Sequence, residues 1–375
     1  MTDDAKIETE LKLALSPDVA RKLRKGKIFR NLRVGRSVTR RLVSTYFDTP
    51  MHLLRKSGVA LRVRDDGERC AQTVKAAAAG TPGLQNRAEW TTPVNGDRPV
   101  LEHLVGTGAA PQLAHRREAD LLPVFTTDLE RTTMRLKTRR AEVEFAIDEG
   151  VIRAGANGTH REELVCEAEF ELLSGDASSM LKLALEVCES YDARPAHLSK
   201  AQRGYALARP ALRPRPEKAE PIVLDKSMTT GESFQAIVRD MLEHLLCNQS
   251  PTLAGHPEGI HQTRVAMRRL RAALRAFKRL LPYHERKAFN GEFRWFQQRL
   301  SPARDWHVFL AETLPLIAAS GSIPAAEFAK LRRIAQYERR RATTTALVHL
   351  ESRRYARLIL EFQRWAADLE QADEV

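Results

Sequence analysis

Ile7-Glu8-Thr9-Glu10-Leu11-Lys12-Leu13 alternates between ionised and uncharged side chains, and this period of two decides how the N-terminal half is read. In an extended strand, residues two apart share a face, so Glu8, Glu10 and Lys12 lie on one side and Ile7, Leu11 and Leu13 on the other. The pattern returns down the chain. Arg62 and Arg64 alternate with Leu61 and Val63, and Arg87 and Glu89 with Ala88 and Trp90. Arg131, Thr133, Arg135 and Lys137 oppose Met134 and Leu136; Glu142, Glu144 and Asp148 oppose Val143, Phe145 and Ile147. Finally, Glu167, Glu169 and Glu171 oppose Ala168, Phe170 and Leu172.

Strands are expected near residues 6–15, 42–48, 59–65, 70–76, 86–92, 130–137, 141–148 and 163–172, with helices at 17–26 and 176–192. So many strands on short connections favour an antiparallel sheet or barrel. A single strand with one wet, charged face needs no special explanation. Here the charged faces repeat, both signs occur on one strand, and the apolar faces can pack against the two helices. If the sheet closes, the charges line a barrel whose interior, at about eight strands, holds one small ligand. A polyphosphate with a divalent cation satisfies both signs, because Arg and Lys bind phosphate oxygens and carboxylates hold a hard metal.

At 375 residues the chain has room for two domains. Pro210, Pro214, Pro216 and Pro221 mark the boundary, giving a first domain at 1–208, a Pro-rich linker at 209–226 in extended, unpacked chain, and a second domain at 227–375. Beyond it the period changes. Phe234, Ile237, Val238, Met241, Leu242 and Leu245 form one helical stripe, a second helix runs from about Glu258 to Leu281 where Pro282 stops it, and others follow at about 285–300, 304–319, 325–346 and 351–371. The fold class is therefore α+β: an N-terminal antiparallel eight-stranded β-barrel with flanking helices, then an all-α antiparallel bundle.

A net charge of +13 attracts polyanions of any kind. Cys70, Cys166, Cys188 and Cys247 are scattered, without metal spacing or a disulfide framework. No apolar run is long enough to span a bilayer, and Met1-Thr2-Asp3-Asp4-Ala5 lacks the features of a leader, so a cytoplasmic location and no membrane partner are expected. A GxxxxGK[ST] loop is absent, which leaves a nucleotide-loop mechanism without support. On the helix after the boundary, His261, Arg264, Arg268, Arg271 and Arg275 recur at steps of three and four as one cationic stripe, opposite Val265, Leu270, Leu274, Phe277 and Leu281. Aromatics are 6% of the chain and none interleaves this stripe, so nucleic acid ranks last among partners.

Glu8-Thr9-Glu10-Leu11-Lys12 resembles the ExExK signature of the triphosphate tunnel metalloenzymes, or CYTH proteins. The likeness continues in order through Tyr46-Phe47-Asp48-Thr49, Leu61-Arg62-Val63-Arg64, Thr73-Val74-Lys75, Arg87-Ala88-Glu89, the strand Glu167 to Gly175, and the segment Leu198 to Tyr205. The stretch from His261 to Arg271, with Arg304-Asp305, resembles the opening of a CHAD domain, of which this chain holds what reads as the first half. The combination is most similar to bacterial inorganic triphosphatases. The resemblance implies a tunnel in which Lys12, Arg62, Arg64, Lys75, Arg87, Arg131 and Lys200 bind inorganic triphosphate or polyphosphate, with Arg135 a rival to Arg131. It implies that Glu8, Glu10, Glu89, Asp148, Glu167 and Glu169 hold Mg2+ or Mn2+, with Glu8, Glu10, Lys12 and Lys200 at the chemistry. His261, Arg264, Arg268, Arg271 and Arg275 would bind polyphosphate. Within the same family, an adenylate cyclase or a thiamine triphosphatase is the enzymatic alternative, and a non-catalytic polyphosphate-binding scaffold is the other. The oligomeric state is not legible.

Overall fold

The computed structural model describes residues 5–78, 84–113, 117–155, 160–321 and 323–373; Met1 to Asp4, part of the stretch read for a leader, lie outside them. Two compact units, Met1–Arg213 and Pro214–Val375, make up the chain.

In the first unit the alternating segments become β1 (Lys6–Ala14), β2 (Arg33–Asp48), β3 (Val59–Asp65), β4 (Cys70–Ala77), β5 (Gln85–Val94), β6 (Leu122–Lys137), β7 (Ala141–Ala154) and β8 (Arg161–Gly175). They pair antiparallel in the order β5-β4-β3-β2-β6-β7-β8-β1, and β1 pairs back onto β5, so the eight strands close. The two-residue β9 (Arg194–Pro195) adds to β1. Several strands outrun their expected bounds, β2 most of all: Arg33–Arg41 is polar and exposed, carries no alternation, and is ordered by pairing with β6.

The apolar faces point outward and are covered. Helices α1 (Pro17–Arg24) and α4 (Ala177–Ser190) bury Leu23, Met180 and Leu181, while the Phe29, Phe145 and Phe170 rings pack together, Phe145 lying 5.3 Å from Phe29 and 4.7 Å from Phe170 between centroids. Across the barrel, Leu61, Val63 and Val74 pack beneath Leu104, Leu113 and Leu121, with the short α2 (Leu53–Lys56) and α3 (Ala110–Leu113) nearby in the chain. Burying such side chains contributes about 1.5–3 kcal/mol each.

The inner face is not charged throughout, as the alternation alone suggested. Tyr46 sits directly across from both Arg62 and Phe125, so it shares the inner face with the charges. With Phe125, Leu129, Ile152, Ala154 and Val165 it forms an apolar cluster filled by Ala201 and Tyr205 of α5 (Lys200–Ala208). The helix lies so close that a Cβ on Gly204 would stand 2.1 Å from the Phe125 ring, which only glycine permits. Asp48, fully buried, accepts from the amides of Thr49, Leu54 and Arg55 and from the Tyr205 hydroxyl at 2.7 Å, tying α5 to the start of α2. Asp48→Ala leaves those donors unpaired and is expected to lower the unfolding free energy by about 3 kcal/mol in urea titration. An unshifted midpoint would mean that the tie contributes nothing.

The second unit comprises α6 (Thr230–Cys247), α7 (Gln249–Leu253), α8 (Pro257–Ala276), α9 (Tyr283–Val308), α10 (Leu314–Ala319), α11 (Ala325–Leu350) and α12 (Arg353–Asp373), around Phe234, Met241, Leu270, Phe293, Phe296 and Phe362. The α8 helix ends at Ala276, before the expected Leu281, and Pro282 caps the next helix instead. Its buried face carries Ala266 and Met267, with Val265 only half-buried. The segments expected at 285–300 and 304–319 are joined: α9 runs through Pro302, because Phe293, Phe296, Leu300, Ala303 and His307 hold one buried stripe on both sides of it. A single π turn at Phe309–Thr313 follows. The Pro-rich segment is extended and mostly exposed, with Val223 89% exposed, but it is held to the helical unit. The Glu217 amide donates to Asn248 Oδ1 at 3.1 Å, Asn248 Nδ2 returns a bond to the Glu217 carbonyl at 3.0 Å, and Ile222 lies against the helical core. No helix among the described residues is long and apolar enough to cross a membrane.

Candidate active site

Within the barrel is a cavity of about 230 Å3, somewhat below the usual range of small-molecule sites. Its lining contains Glu8, Glu10, Lys12, Arg62, Arg64, Lys75, Arg87, Glu89, Arg131, Glu169 and Lys200. Asp148 and Glu167 lie deeper, both contacting Lys200. Arg135 is on the same face of β6 as Arg131 but nearer its end; it is 58% exposed, pairs with Glu142 at 2.6 Å, and does not line the cavity.

The charges form three groups. Lys75 bridges Glu8 and Glu89, the latter at 2.6 Å. Burial, together with the contact to Glu89, pushes the Glu8 carboxyl up to about 7 against the pull of Lys75. Burial also opposes ionisation of Glu89, but Lys75 and Arg62 outweigh it and hold that carboxyl down, so Glu8 is the harder of the two to ionise. Lys12 pairs with Glu10 at 2.5 Å and with Glu169 at 3.2 Å. Despite burial, Lys12 and its cationic neighbours keep Glu10 below the usual carboxylate range.

The third group is the densest. Asp148, Glu167 and Glu169 each place an oxygen within 4.8 Å of the others. Lys200 Nζ stands among them at 2.6, 2.5 and 2.9 Å, and Arg131 grips Asp148 with two bonds of 2.7 and 2.6 Å while also reaching Glu169. Arg203, which the sequence offered only within a motif, holds Glu167 from outside at 2.9 Å. Burial alone would raise Glu169, but Lys12, Lys200 and Arg131 keep it well below the ordinary range. Three convergent carboxylates are an all-oxygen donor set of the kind a hard dication requires, so these residues fit a hard divalent metal.

Arg62, Arg64 and Arg87 differ from the other cations of the lining. None of them pairs with a carboxylate among the described residues: the Nε of Arg62 is buried without a hydrogen-bond partner, Arg64 donates to Ser44 Oγ at 3.1 Å, and Arg87 donates to Gln85 at 3.2 Å. Burial and the neighbouring Arg62 and Arg131 push Arg64 down to about 9. Buried guanidinium groups left this way are short of anions, and a phosphate chain supplies them.

A CYTH domain model matches residues 6–205. The chain belongs to the CYTH family. A CHAD domain model matches residues 236–374, over the helical unit. The inorganic triphosphatase of Haemophilus influenzae is 31% identical over 201 residues, covering 53% of this chain and 54% of that protein; the match thus spans about half the length of the relative. Among solved structures, the CHAD domain from the plant Ricinus communis is 34% identical over 42% of this chain and 52% of that chain, with a TM-score of 0.37. A putative adenylyl cyclase from Hippeastrum, described as having a dominant triphosphatase activity, is 15% identical over 55% of this chain and 95% of that chain, with a TM-score of 0.34.

Downstream of the CYTH barrel, the basic stripe lies on α8. Arg268 and Arg275 are exposed; Arg264 donates to Ser301 Oγ at 3.1 Å, and Arg271 to Asn290 at 3.2 Å and Gln297 at 2.6 Å. None of the four forms an ion pair among the described residues. Burial, then Arg304 and Arg268, hold Arg264 down, the nearby Asp305 opposing them. His261 is lowered by burial and by Arg304, Arg264 and Arg268, with Glu258 opposing. His307, which the sequence reading did not single out, is buried; burial first, then Arg339 and Arg304, lower its pKa.

Proposed function

We propose that the barrel hydrolyses inorganic triphosphate to pyrophosphate and phosphate with Mg2+ or Mn2+, in a cytoplasmic setting. The observation that supports this most is the cavity's division of labour: Arg62 and Arg64 lack carboxylate partners, while Asp148, Glu167 and Glu169 converge within 4.8 Å. A protein that only bound anions would gain nothing from buried acids, each of which costs desolvation.

In this reading Lys12, Arg62, Arg64, Lys75, Arg87 and Arg131 bind phosphate oxygens and align the chain. Asp148, Glu167 and Glu169, with Glu8, Glu10 and Glu89 along the same wall, hold the metal. A dication bound there polarises a phosphoryl oxygen and acidifies water. The protein's own part is positioning and neutralisation of developing charge, which dominate phosphoryl transfer. Lys200 contributes its ammonium from the helix that fills one end. Arg135 stands outside this set.

Phosphate release from inorganic triphosphate, ATP and thiamine triphosphate, each with Mg2+, Mn2+ or EDTA, tests the assignment. Metal-dependent release strongest for inorganic triphosphate supports it, and preference for a nucleotide or thiamine substrate points to the family alternatives. No release from any substrate, with polyphosphate still bound, favours the scaffold. The α8 stripe is assigned to polyphosphate: Arg268→Glu with Arg275→Glu is expected to weaken polyphosphate binding by about tenfold at low salt and to leave triphosphate turnover unchanged. Equal affinity in titration calorimetry would remove the stripe from the proposal.

A further inference from the structure

We propose that Glu144 and Glu171 limit the length of phosphate chain the barrel accepts, by holding carboxylates beside the outer phosphates of any chain longer than the inner cations span. The inference rests on the triphosphatase reading and adds a specificity device to it. Both residues line the cavity, and they face each other directly across β7 and β8. The next strands place Glu10 opposite Glu171 and Arg135 opposite Glu144, so three carboxylates lie side by side on adjoining strands.

Their position along the barrel gives the argument its direction. On the same two strands the deeper pair is Asp148 and Glu167, which contact Lys200 of the filling helix. Glu144 and Glu171 are four residues farther from that helix, a displacement of about 10 Å along a barrel of ordinary strand tilt. Exposure rises toward this end: Lys6 is 60% exposed and Arg135 58%. A polyanion entering here passes these carboxylates before it reaches Arg62, Arg64 and Lys200.

The pair is not consumed by the machinery already assigned. Neither residue belongs to the three-acid cluster. Glu171 pairs with Lys6 at 2.6 Å, and Glu144 forms no hydrogen bond or ion pair among the described residues. Burial first, then Glu171, raise the Glu144 carboxyl, with Arg131 and Lys6 opposing. A short chain that moves fully inward leaves the carboxylates behind. A longer one keeps charged phosphates beside them in a partly desolvated channel, where like charges repel strongly. Discrimination of this kind requires a repulsive element, and none of the cations farther in provides one.

The test uses the full chain and the double variant Glu144→Gln, Glu171→Gln, with inorganic triphosphate, tetraphosphate and a long polyphosphate as probes. The variant is expected to raise kcat/KM on the longer chains relative to triphosphate by about tenfold, while triphosphate itself changes by less than about threefold. An unchanged ratio in a folded variant overturns the proposal. Loss of triphosphate turnover that added metal restores would also overturn it, by showing that the two carboxylates hold cations. If the wild-type protein hydrolyses none of the probes, the triphosphatase reading fails separately. Equilibrium binding of the same probes then decides the gate: tighter binding of long chains in the variant supports it, and equal binding does not.

Discussion

Glutamine in place of Glu169 is expected to reduce metal-dependent triphosphate hydrolysis by about 10²–10³-fold while leaving a closed barrel. The expectation follows from the number of partners this carboxylate serves. It meets Lys12 at 3.2 Å, Lys200 at 2.9 Å and Arg131, and it is one of the three acids whose oxygens converge within 4.8 Å. Glutamine keeps the volume and removes the charge, so a dication loses one of its anionic donors and the surrounding cations are left in excess. The fold should survive because Lys12 retains Glu10, Arg131 retains Asp148, and Lys200 retains Asp148 and Glu167. The decisive comparison is turnover against Mn2+ concentration in the two proteins, with melting temperature as the control for folding. Wild-type turnover in a folded variant would remove Glu169 from the metal set and with it the central part of the assignment.

The barrel was legible because its strands carry charge on the inside. In most barrels the alternation only says which face is wet; here Glu8, Glu10 and Lys12, then Arg62 and Arg64, then Glu167 and Glu169 mark a face too densely ionised to be ordinary surface. The filled end was not legible for the same reason. Tyr46, Phe125, Ile152 and Val165 carry no charge, so the alternation of charges does not mark them as inner, and only the pairing of Tyr46 with Arg62 and Phe125 turns that end inward. Residue parity likewise cannot separate Arg131 from Arg135, since both share a face. What separates them is distance along the strand, fixed by the opposing residues Asp148 and Glu144 on β7. In the helical unit, separate helices were expected at 285–300 and 304–319, and Pro302 lies between them, where its missing backbone donor disfavours a continuous helix. The buried stripe from Phe293 to His307 overrides that cost, which is a tertiary effect that no local window contains.

Lys200→Met is expected to weaken the metal-free protein and to make it respond more strongly to metal, two effects that together report what the ammonium does. Lys200 is 7% exposed in its side chain and contacts three carboxylates within 2.9 Å, and those partners lift its pKa despite burial and the nearby Arg131. Removing one member of a buried ionic group leaves uncompensated charge, which commonly costs about 3–5 kcal/mol. Asp148 and Glu169 still have Arg131, and Glu167 still has Arg203, so the lower end of that range is expected. A dication binding to the folded state but not to the unfolded chain recovers stability by mass action. Because the ammonium no longer competes for the same oxygens, Mn2+ should bind the variant more tightly than the wild type and raise its melting temperature further. Turnover should nevertheless fall by about 10²-fold or more, since the ammonium is missing where phosphate charge develops. The sign of the difference in metal response separates this account from a merely structural lysine. A variant that is less stable but shifts with Mn2+ no more than the wild type would show that Lys200 braces the barrel without sharing the metal's place.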